Sequence, residues 1–140
     1  MSAAALAAPA VPRGARTFLA VGGAVLAVYG LLLFADPALL GRLVGLTFVD
    51  ANAPVEIRAF YGGLELGLAG FFVLASRRAV WLEPALVAFA LAFGAAGAAR
   101  LAGIAQFGFT GPSQPVVAAI ELAGAALALW LRRGARGGES

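Results

Sequence analysis

The fold of this chain is decided by the stretch EIRAFYGGLELG at residues 56–67. The stretch lies in a long apolar run that follows Pro54, and its composition is typical of part of a membrane-spanning helix. It nevertheless contains two charged side chains, Arg58 and Glu65, that cost free energy in lipid. The stretch therefore predicts a membrane helix whose charges need partners from the rest of the chain.

The composition of the whole chain indicates a membrane protein. Its 140 residues are 62% hydrophobic and 12% charged, whereas soluble domains average about 45–50% apolar and about 25% charged residues. One crossing of a hydrocarbon core about 30 Å thick takes about 20 helical residues. Four crossings with short connections account for most of the chain. The predicted fold class is therefore all-α, an integral membrane four-helix bundle.

Several kinds of chemistry are excluded by residues that the sequence lacks. It contains no cysteine and no histidine, which excludes disulfides, thiol chemistry, the usual zinc sites and histidine acid–base catalysis. The net charge is +3, but the arginines stand singly or in pairs near helix ends and form no basic face, so nucleic-acid binding is excluded. We identify no metal site, no cofactor and no catalytic residue.

Apolar runs and turn residues divide the chain into four spans. Asp36 and Pro37 end the first span and start a short helix that we expect to lie in the membrane interface. A secretory signal peptide is the alternative for the first span, but its apolar core exceeds the usual ~7–15 residues and it lacks a good cleavage site. The four spans are expected at about residues 17–35, 54–75, 80–105 and 115–131.

The arginines predict the orientation of the spans. Seven of the ten collect on one side, and only Arg42 lies in the loops of the other side. Cytoplasmic loops carry such an excess of positive charge. We therefore expect a multi-pass protein of the cell membrane with both termini cytoplasmic, a disordered tail at residues 1–16 and a second tail at 134–140. The seven are Arg13, Arg16, Arg77, Arg78, Arg132, Arg133 and Arg136.

Helix two is marginal in lipid by itself. About ten large apolar residues favour its insertion by ~3–6 kcal/mol, while one central charge costs ~2.5–3.5 kcal/mol. Glu65 lies near mid-membrane, ~15 Å from the start of the helix. It therefore needs close packing, a partner or a proton that neutralises it.

The charged side chains inside the spans are expected to form one polar cluster in the outer half of the bundle. Side chains lean toward the N-terminus of their helix, so Arg100 on helix three leans toward mid-membrane. We expect Arg100 between Glu65 and Glu121. Arg58 is expected above them, beside Glu121 or Glu56.

Helix two also places polar and small residues at helical spacing. Residues three, four and seven apart on an α-helix share a face, which would bring Tyr61 into the cluster as a hydrogen-bonding group. Gly63-x-x-x-Gly67 is a pattern that favours close helix packing. The face on helix two consists of Arg58, Tyr61, Gly62 and Glu65. The candidate ligand-binding residues are Arg58, Tyr61, Glu65, Arg100 and Glu121.

Three segments carry a resemblance to a known family: the run EIRAFYGG at residues 56–63, Arg100-Leu before a Gly/Pro loop, and Glu121 in the last helix. Over about residues 17–132 the chain resembles a bacterial family of small four-helix membrane proteins, domain of unknown function 4345. The resemblance implies the fold and the membrane location and no activity. The chain is also similar in size and helix number to DoxX-like proteins, small membrane partners of quinone-linked oxidoreductases, by analogy of fold alone.

Three functions, and a purely structural salt-bridge network, are compatible with this pattern. The first is a non-enzymatic membrane protein that binds a small amphipathic ligand, such as a lipid or a quinone, or a partner subunit at the candidate residues. The second is a small transporter or proton-coupled carrier that forms a homo-oligomer. The third is a membrane enzyme with Glu65 or Glu121 as acid or base. The absence of histidine, cysteine and any nucleophile motif disfavours the third.

Overall fold

The computed structural model describes residues 13–108 and 111–136, and every regular element within them is helical. All of these helices except the second are long and apolar enough to cross a membrane. The prediction of an all-helical chain with four possible spans is therefore confirmed. The five helices are α1 (Arg13–Ala35), α2 (Ala38–Val44), α3 (Asn52–Arg77), α4 (Ala79–Phe107) and α5 (Ser113–Arg136).

The first and last helices extend into the segments that the sequence assigns to tails. Residues 13–16, which the sequence assigns to a disordered tail, form the first turn of α1, so that part of the prediction is wrong. Arginine and alanine are good helix formers, so the helix continues beyond the apolar run. At the other end, α5 runs to Arg136, past the predicted start of the second tail. Tail residues 1–12 and 137–140 lie outside the described part of the chain.

Aspartate side chains set the starts of α2 and α3. The Oδ1 atom of Asp36 accepts a hydrogen bond from the backbone N–H of Ala38 at 3.1 Å, at the start of the short helix that the sequence predicts after Asp36 and Pro37. The Oδ1 atom of Asp50 accepts from the N–H of Asn52 at 2.8 Å. Because this aspartate satisfies a free N–H at the helix start, α3 begins at Asn52 and not at Pro54 as predicted.

The described residues form two compact units. The first unit is Thr17–Arg78 and contains most of α1 with α2 and α3. The second unit contains α4 and α5, with residues 13–16. In the first unit α1 and α3 run antiparallel and approach closely at glycines. A Cβ on Gly30 would lie 3.1 Å from the carbonyl oxygen of Gly62, and a Cβ on Gly62 would lie 3.0 Å from the Cα of Phe34.

The glycines at this contact are not those of the predicted Gly63-x-x-x-Gly67 pattern. A Cβ on Gly67 would meet nothing within 4 Å, and a Cβ on Gly63 would meet only the carbonyl oxygen of Arg58, at 3.8 Å. The preceding glycine, Gly62, faces α1 instead. The abundance of glycine in the chain made the pattern easy to match and uninformative about the contact.

The second unit is an antiparallel pair of helices. A Cβ on Gly97 of α4 would lie 2.8 Å from the Cγ of Leu122 and 3.3 Å from the carbonyl oxygen of Ala118, both on α5. The ring of Phe89 fills the space beside Gly124 further along the pair. Large side chains of one helix thus pack onto small residues of the other, which brings the polar side chains of the two helices within hydrogen-bonding distance.

Candidate functional site

Arg100 forms the centre of a polar network in the second unit. Its Nε atom donates to Oε2 of Glu121 at 3.1 Å, and its Nη2 atom donates to Oε1 of the same carboxylate at 2.9 Å. Its Nη1 atom donates to Oε1 of Gln114 at 2.6 Å. The structure thus brings Arg100 and Glu121 together, as predicted. The predicted approach of Arg100 to Glu65 concerns residues of different units and stays a prediction.

Two further contacts of this unit were not foreseen. Gln114 lies seven residues before Glu121 on α5, a spacing that puts both on one helical face and could have identified it. Near the other end of the pair, Nε of Arg132 donates to Oε1 of Glu83 at 3.0 Å. Polar contacts therefore join α4 and α5 near both ends, and the bidentate arginine–carboxylate geometry is the strong form of this interaction.

Helix α3 in the first unit contains a stretch of π-helix. Asn52–Ile57 and Glu65–Arg77 are α-helical, and Arg58–Leu64 between them is a π-helix. Hydrogen bonds in a π-helix join residues five apart, so a turn takes more residues than in an α-helix. The predicted common face of Arg58, Tyr61, Gly62 and Glu65 assumed α-helical spacing and is therefore wrong.

The π-helical stretch points its side chains in different directions. Gly62 is buried against the backbone of Phe34, whereas Tyr61 is 45% exposed. Among the described residues, the Tyr61 hydroxyl has no hydrogen bond. Sequence reasoning missed this stretch because it assumed regular α-helical geometry throughout the span. The stretch includes Gly62, which contacts Phe34 of α1. Turns of π-helix occur frequently at functional sites.

Arg58 interacts with the end of α1. Its Nε atom donates to the carbonyl oxygen of Phe34 at 2.8 Å, and its guanidinium carbon lies 5.8 Å from the centre of the Phe34 ring. That carbonyl is in the last turn of α1, where carbonyls lack a partner within the helix and a cation is favoured. Arg58 forms no ion pair with Glu56 among the described residues, so this predicted pairing is not present.

Two exposed side chains lie beside the same helix end. Arg42 of α2 forms an ion pair with the carboxylate of Asp36, directly after α1. The hydrogen bond from Arg42 lowers the pKa of Asp36 below its ordinary value. Since both side chains are exposed, this pair stabilises the loop only weakly.

Glu65 is the first residue of the α-helical part that follows the π-helical stretch. Its Oε2 atom is buried and has no hydrogen-bond partner among the described residues. Glu65 heads a stripe of buried residues at i+4, i+7 and i+11, which are Ala69, Phe72 and Ser76. An unsatisfied buried acceptor costs about 1–3 kcal/mol, and ionisable groups inside membrane helices are usually functional. Glu65 is therefore the best candidate functional side chain of the described residues.

A metal site is not formed by these acidic groups. Within residues 13–108 and 111–136, no three histidine, cysteine, aspartate or glutamate side chains lie close enough together to hold a metal ion. The two carboxylates that the sequence places inside the spans differ in their partners. Glu121 is paired with an arginine, and Glu65 has an oxygen without a donor among the described residues.

The family model described as Domain of unknown function (DUF4345) matches residues 14–132. The chain belongs to this family, and the predicted resemblance is confirmed. The match extends from the first turn of α1 into the last turns of α5. No curated protein and no solved structure matches the chain. The family description assigns no activity, so the function is argued below from the geometry of the site.

Proposed function

We propose that this protein is a non-enzymatic integral membrane protein that binds the polar head of a small amphipathic ligand at Glu65. The observation that carries the proposal is the buried Oε2 atom of Glu65, which has no hydrogen-bond partner among the described residues. It lies on a helix long and apolar enough to span the membrane, immediately after a π-helical stretch. A buried acceptor of this kind is retained against its energetic cost when a ligand satisfies it.

The chemistry of Glu65 defines the ligand class. An ionised carboxylate only accepts hydrogen bonds, so the ligand must bring an O–H or N–H donor to a site inside the bilayer. The rest of the ligand must be apolar, because charged or strongly polar groups are costly there. A lipid with a free hydroxyl group or an alkylated hydroquinone meets both conditions.

The other candidate residues have supporting roles in this proposal. Arg100 and Glu121, with Gln114, hold α4 and α5 together, and each of the three guanidinium nitrogens donates a hydrogen bond. Arg58 orients the end of α1. Self-association or a membrane partner subunit would be built on this pair of helices.

The proposed topology places both termini in the cytoplasm of a cell-membrane protein, with α2 in the outer membrane interface. The distribution of arginines supports the orientation. Exposed apolar residues on and after α2, among them Leu43 and Leu46, support contact with lipid.

The chain has no native cysteine, so single cysteines test the topology. A membrane-impermeant maleimide should label Thr47→Cys in intact cells and Ser140→Cys only after permeabilisation, and the reverse pattern would refute this orientation.

The ligand proposal is tested with a matched pair of probes, decyl-hydroquinone and the corresponding decyl-quinone, which lacks O–H donors. In detergent, saturating hydroquinone should raise the melting temperature of the native chain by about 5 °C, and the quinone should have a smaller effect. Glu65→Leu should abolish the difference. Glu56→Leu, an exposed carboxylate on the same helix, serves as the control and should preserve it.

Two results would contradict this function. Equal shifts for the native chain and Glu65→Leu would remove Glu65 from the site. Proton uptake by proteoliposomes that requires Glu65, without stabilisation by either probe, would favour a proton-coupled carrier over a ligand-binding protein.

A further inference from the structure

We propose a second site, independent of Glu65, in which Arg58 binds the phosphate group of an anionic membrane lipid beside the end of α1. The site goes beyond the proposed function because it uses a different residue and lies at a different depth. Its ligand is an anion, whereas the ligand proposed for Glu65 is a hydrogen-bond donor. Its basis is the way in which the structure uses only part of the Arg58 guanidinium.

The guanidinium of Arg58 is held in place but only partly used. Its Nε atom donates to the carbonyl oxygen of Phe34, and the ring of the same residue lies under the charge. Neither Nη atom has a hydrogen bond among the described residues, and the residue is exposed. In Arg100, by contrast, all three nitrogens have partners. Arg58 therefore presents two parallel N–H donors in a fixed direction, the geometry that binds phosphate.

The depth of Arg58 fits a lipid headgroup. Phe34 is the last residue but one of α1, a helix long enough to span the membrane, so its carbonyl lies near the boundary between acyl chains and headgroups. Arg42 is held at the same helix end through Asp36. Arg42 and Asp36 neutralise each other in their ion pair, whereas Arg58 forms no ion pair among the described residues. The charge of Arg58 therefore favours an anionic headgroup over a zwitterionic one.

Apolar side chains beside Arg58 favour a lipid over free phosphate. Phe34 itself and Leu31, one turn before it on α1, are both exposed, and so is Phe60, two residues after Arg58 on α3. These side chains can contact the acyl chain of a molecule whose phosphate is bound to the guanidinium. Free phosphate would gain nothing from them, so the committed ligand is a phospholipid with a net negative charge.

The experiment measures lipid binding to the full chain by native mass spectrometry from detergent, with phosphatidylglycerol and phosphatidylcholine as probes. The native chain should bind one phosphatidylglycerol about tenfold more tightly than phosphatidylcholine. Arg58→Gln should remove this preference. Arg77→Gln, an exposed arginine at the opposite end of α3, should keep it, and so should Glu65→Leu, which separates this site from the proposed function.

Arg58→Lys keeps the proposal testable where Arg58→Gln does not fold. Lysine can still donate to the carbonyl oxygen of Phe34, but it is a point charge and lacks the two parallel N–H donors of arginine. The preference of this variant for phosphatidylglycerol over phosphatidylcholine should therefore be weaker than that of the native chain and stronger than that of Arg58→Gln. Equal binding of both lipids by the native chain, or an unchanged preference in Arg58→Lys and Arg58→Gln, would overturn the proposal. Displacement of phosphatidylglycerol by millimolar inorganic phosphate would assign the site to free phosphate and overturn the lipid assignment.

Discussion

The two units of the chain treat charges inside their helices in opposite ways. In the second unit, Arg100 donates hydrogen bonds to Glu121 and Gln114. The side chain of Arg100 is 29% exposed and that of Glu121 is 12% exposed. In the first unit, Arg58 uses one nitrogen on a backbone carbonyl, and Glu65 keeps a buried oxygen without a donor. The second unit therefore has the features of a stable scaffold, and the first unit has the unsatisfied groups on which we base the proposed binding sites.

The backbone shows the same difference. Helices α4 and α5 are α-helical throughout and contact each other through large side chains set on small residues. Helix α3 changes to a π-helix for the seven residues that precede Glu65. Longer hydrogen-bonded turns are less favourable than α-helical ones and are retained where function requires them. Unsatisfied groups and irregular backbone thus occur together, in the unit that we propose binds ligands.

The largest expected effect concerns the second unit. Arg100→Met leaves the part-buried Glu121 carboxylate and the Gln114 amide without their donor, and it should lower the free energy of unfolding by about 3 kcal/mol. The double variant Arg100→Met/Glu121→Leu should recover most of this loss, because it removes the unpaired charge as well. Unfolding by SDS titration in mixed micelles measures both.

Arg133→Met is the control for that experiment, since this arginine is exposed on α5. It should change the midpoint of the titration very little. If Arg100→Met unfolds at the same SDS fraction as the native chain, the network does not stabilise the second unit and the contrast between the units fails.

The next effect concerns the close contact of α1 and α3. In Gly62→Ala the new Cβ would lie 3.0 Å from the Cα and Cβ of Phe34, so one helix must move, and we expect a loss of about 2 kcal/mol. Gly67→Ala on the same helix adds a Cβ in open space and should gain about 0.5–1 kcal/mol, because alanine favours the helix over glycine. Changes of the same sign in both variants would contradict the packing described for this helix.

A smaller effect distinguishes the two part-buried carboxylates, Glu65 and Glu121. Without ligand, Glu65→Leu should stabilise the chain by about 1 kcal/mol, because the substitution removes a buried acceptor that has no donor. Glu121→Leu should destabilise it, because it leaves Arg100 without its carboxylate. The same SDS titration measures both variants. Destabilisation by Glu65→Leu would mean that its carboxylate has a stabilising partner, and the proposed ligand site would lose its basis.

The spans and the polar pair of the second unit could be predicted from the sequence. Composition and run length identify four apolar helices, and the similar expected depths of Arg100 and Glu121, each near the outer end of its span, brought these two side chains together. Both inferences depend on properties of single helices and on regular α-helical geometry. They succeeded where the helices are regular, in α4 and α5.

The geometry around Glu65 could not be predicted because α3 is not a regular α-helix. Its π-helical stretch accompanies the contact of Gly62 with Phe34, which is distant in sequence. The partner of Arg58 is likewise a backbone carbonyl, which no pattern of side chains indicates. Sequence reasoning therefore identified Glu65 as the residue in need of a partner, but it assigned Glu65 to an α-helical face with Arg58 and Tyr61 that the π-helix does not form.

The smallest expected effect sets the exposed pair of the first unit against the part-buried pair of the second. The hydrogen bond from Arg42 lowers the pKa of Asp36, so the stability from this pair is present above about pH 3.9, the ordinary value. It is lost as the pH falls through the lower pKa of the folded state. Asp36→Asn keeps a capping side chain and removes the charge. The difference in melting temperature between the native chain and Asp36→Asn should be small and constant from pH 7 to about pH 5, because exposed pairs contribute little. It should shrink as the pH falls below about 3.9 and vanish below the lower pKa of the folded state. A difference that does not shrink as the pH falls below about 3.9 would come from the cap and not from the ion pair.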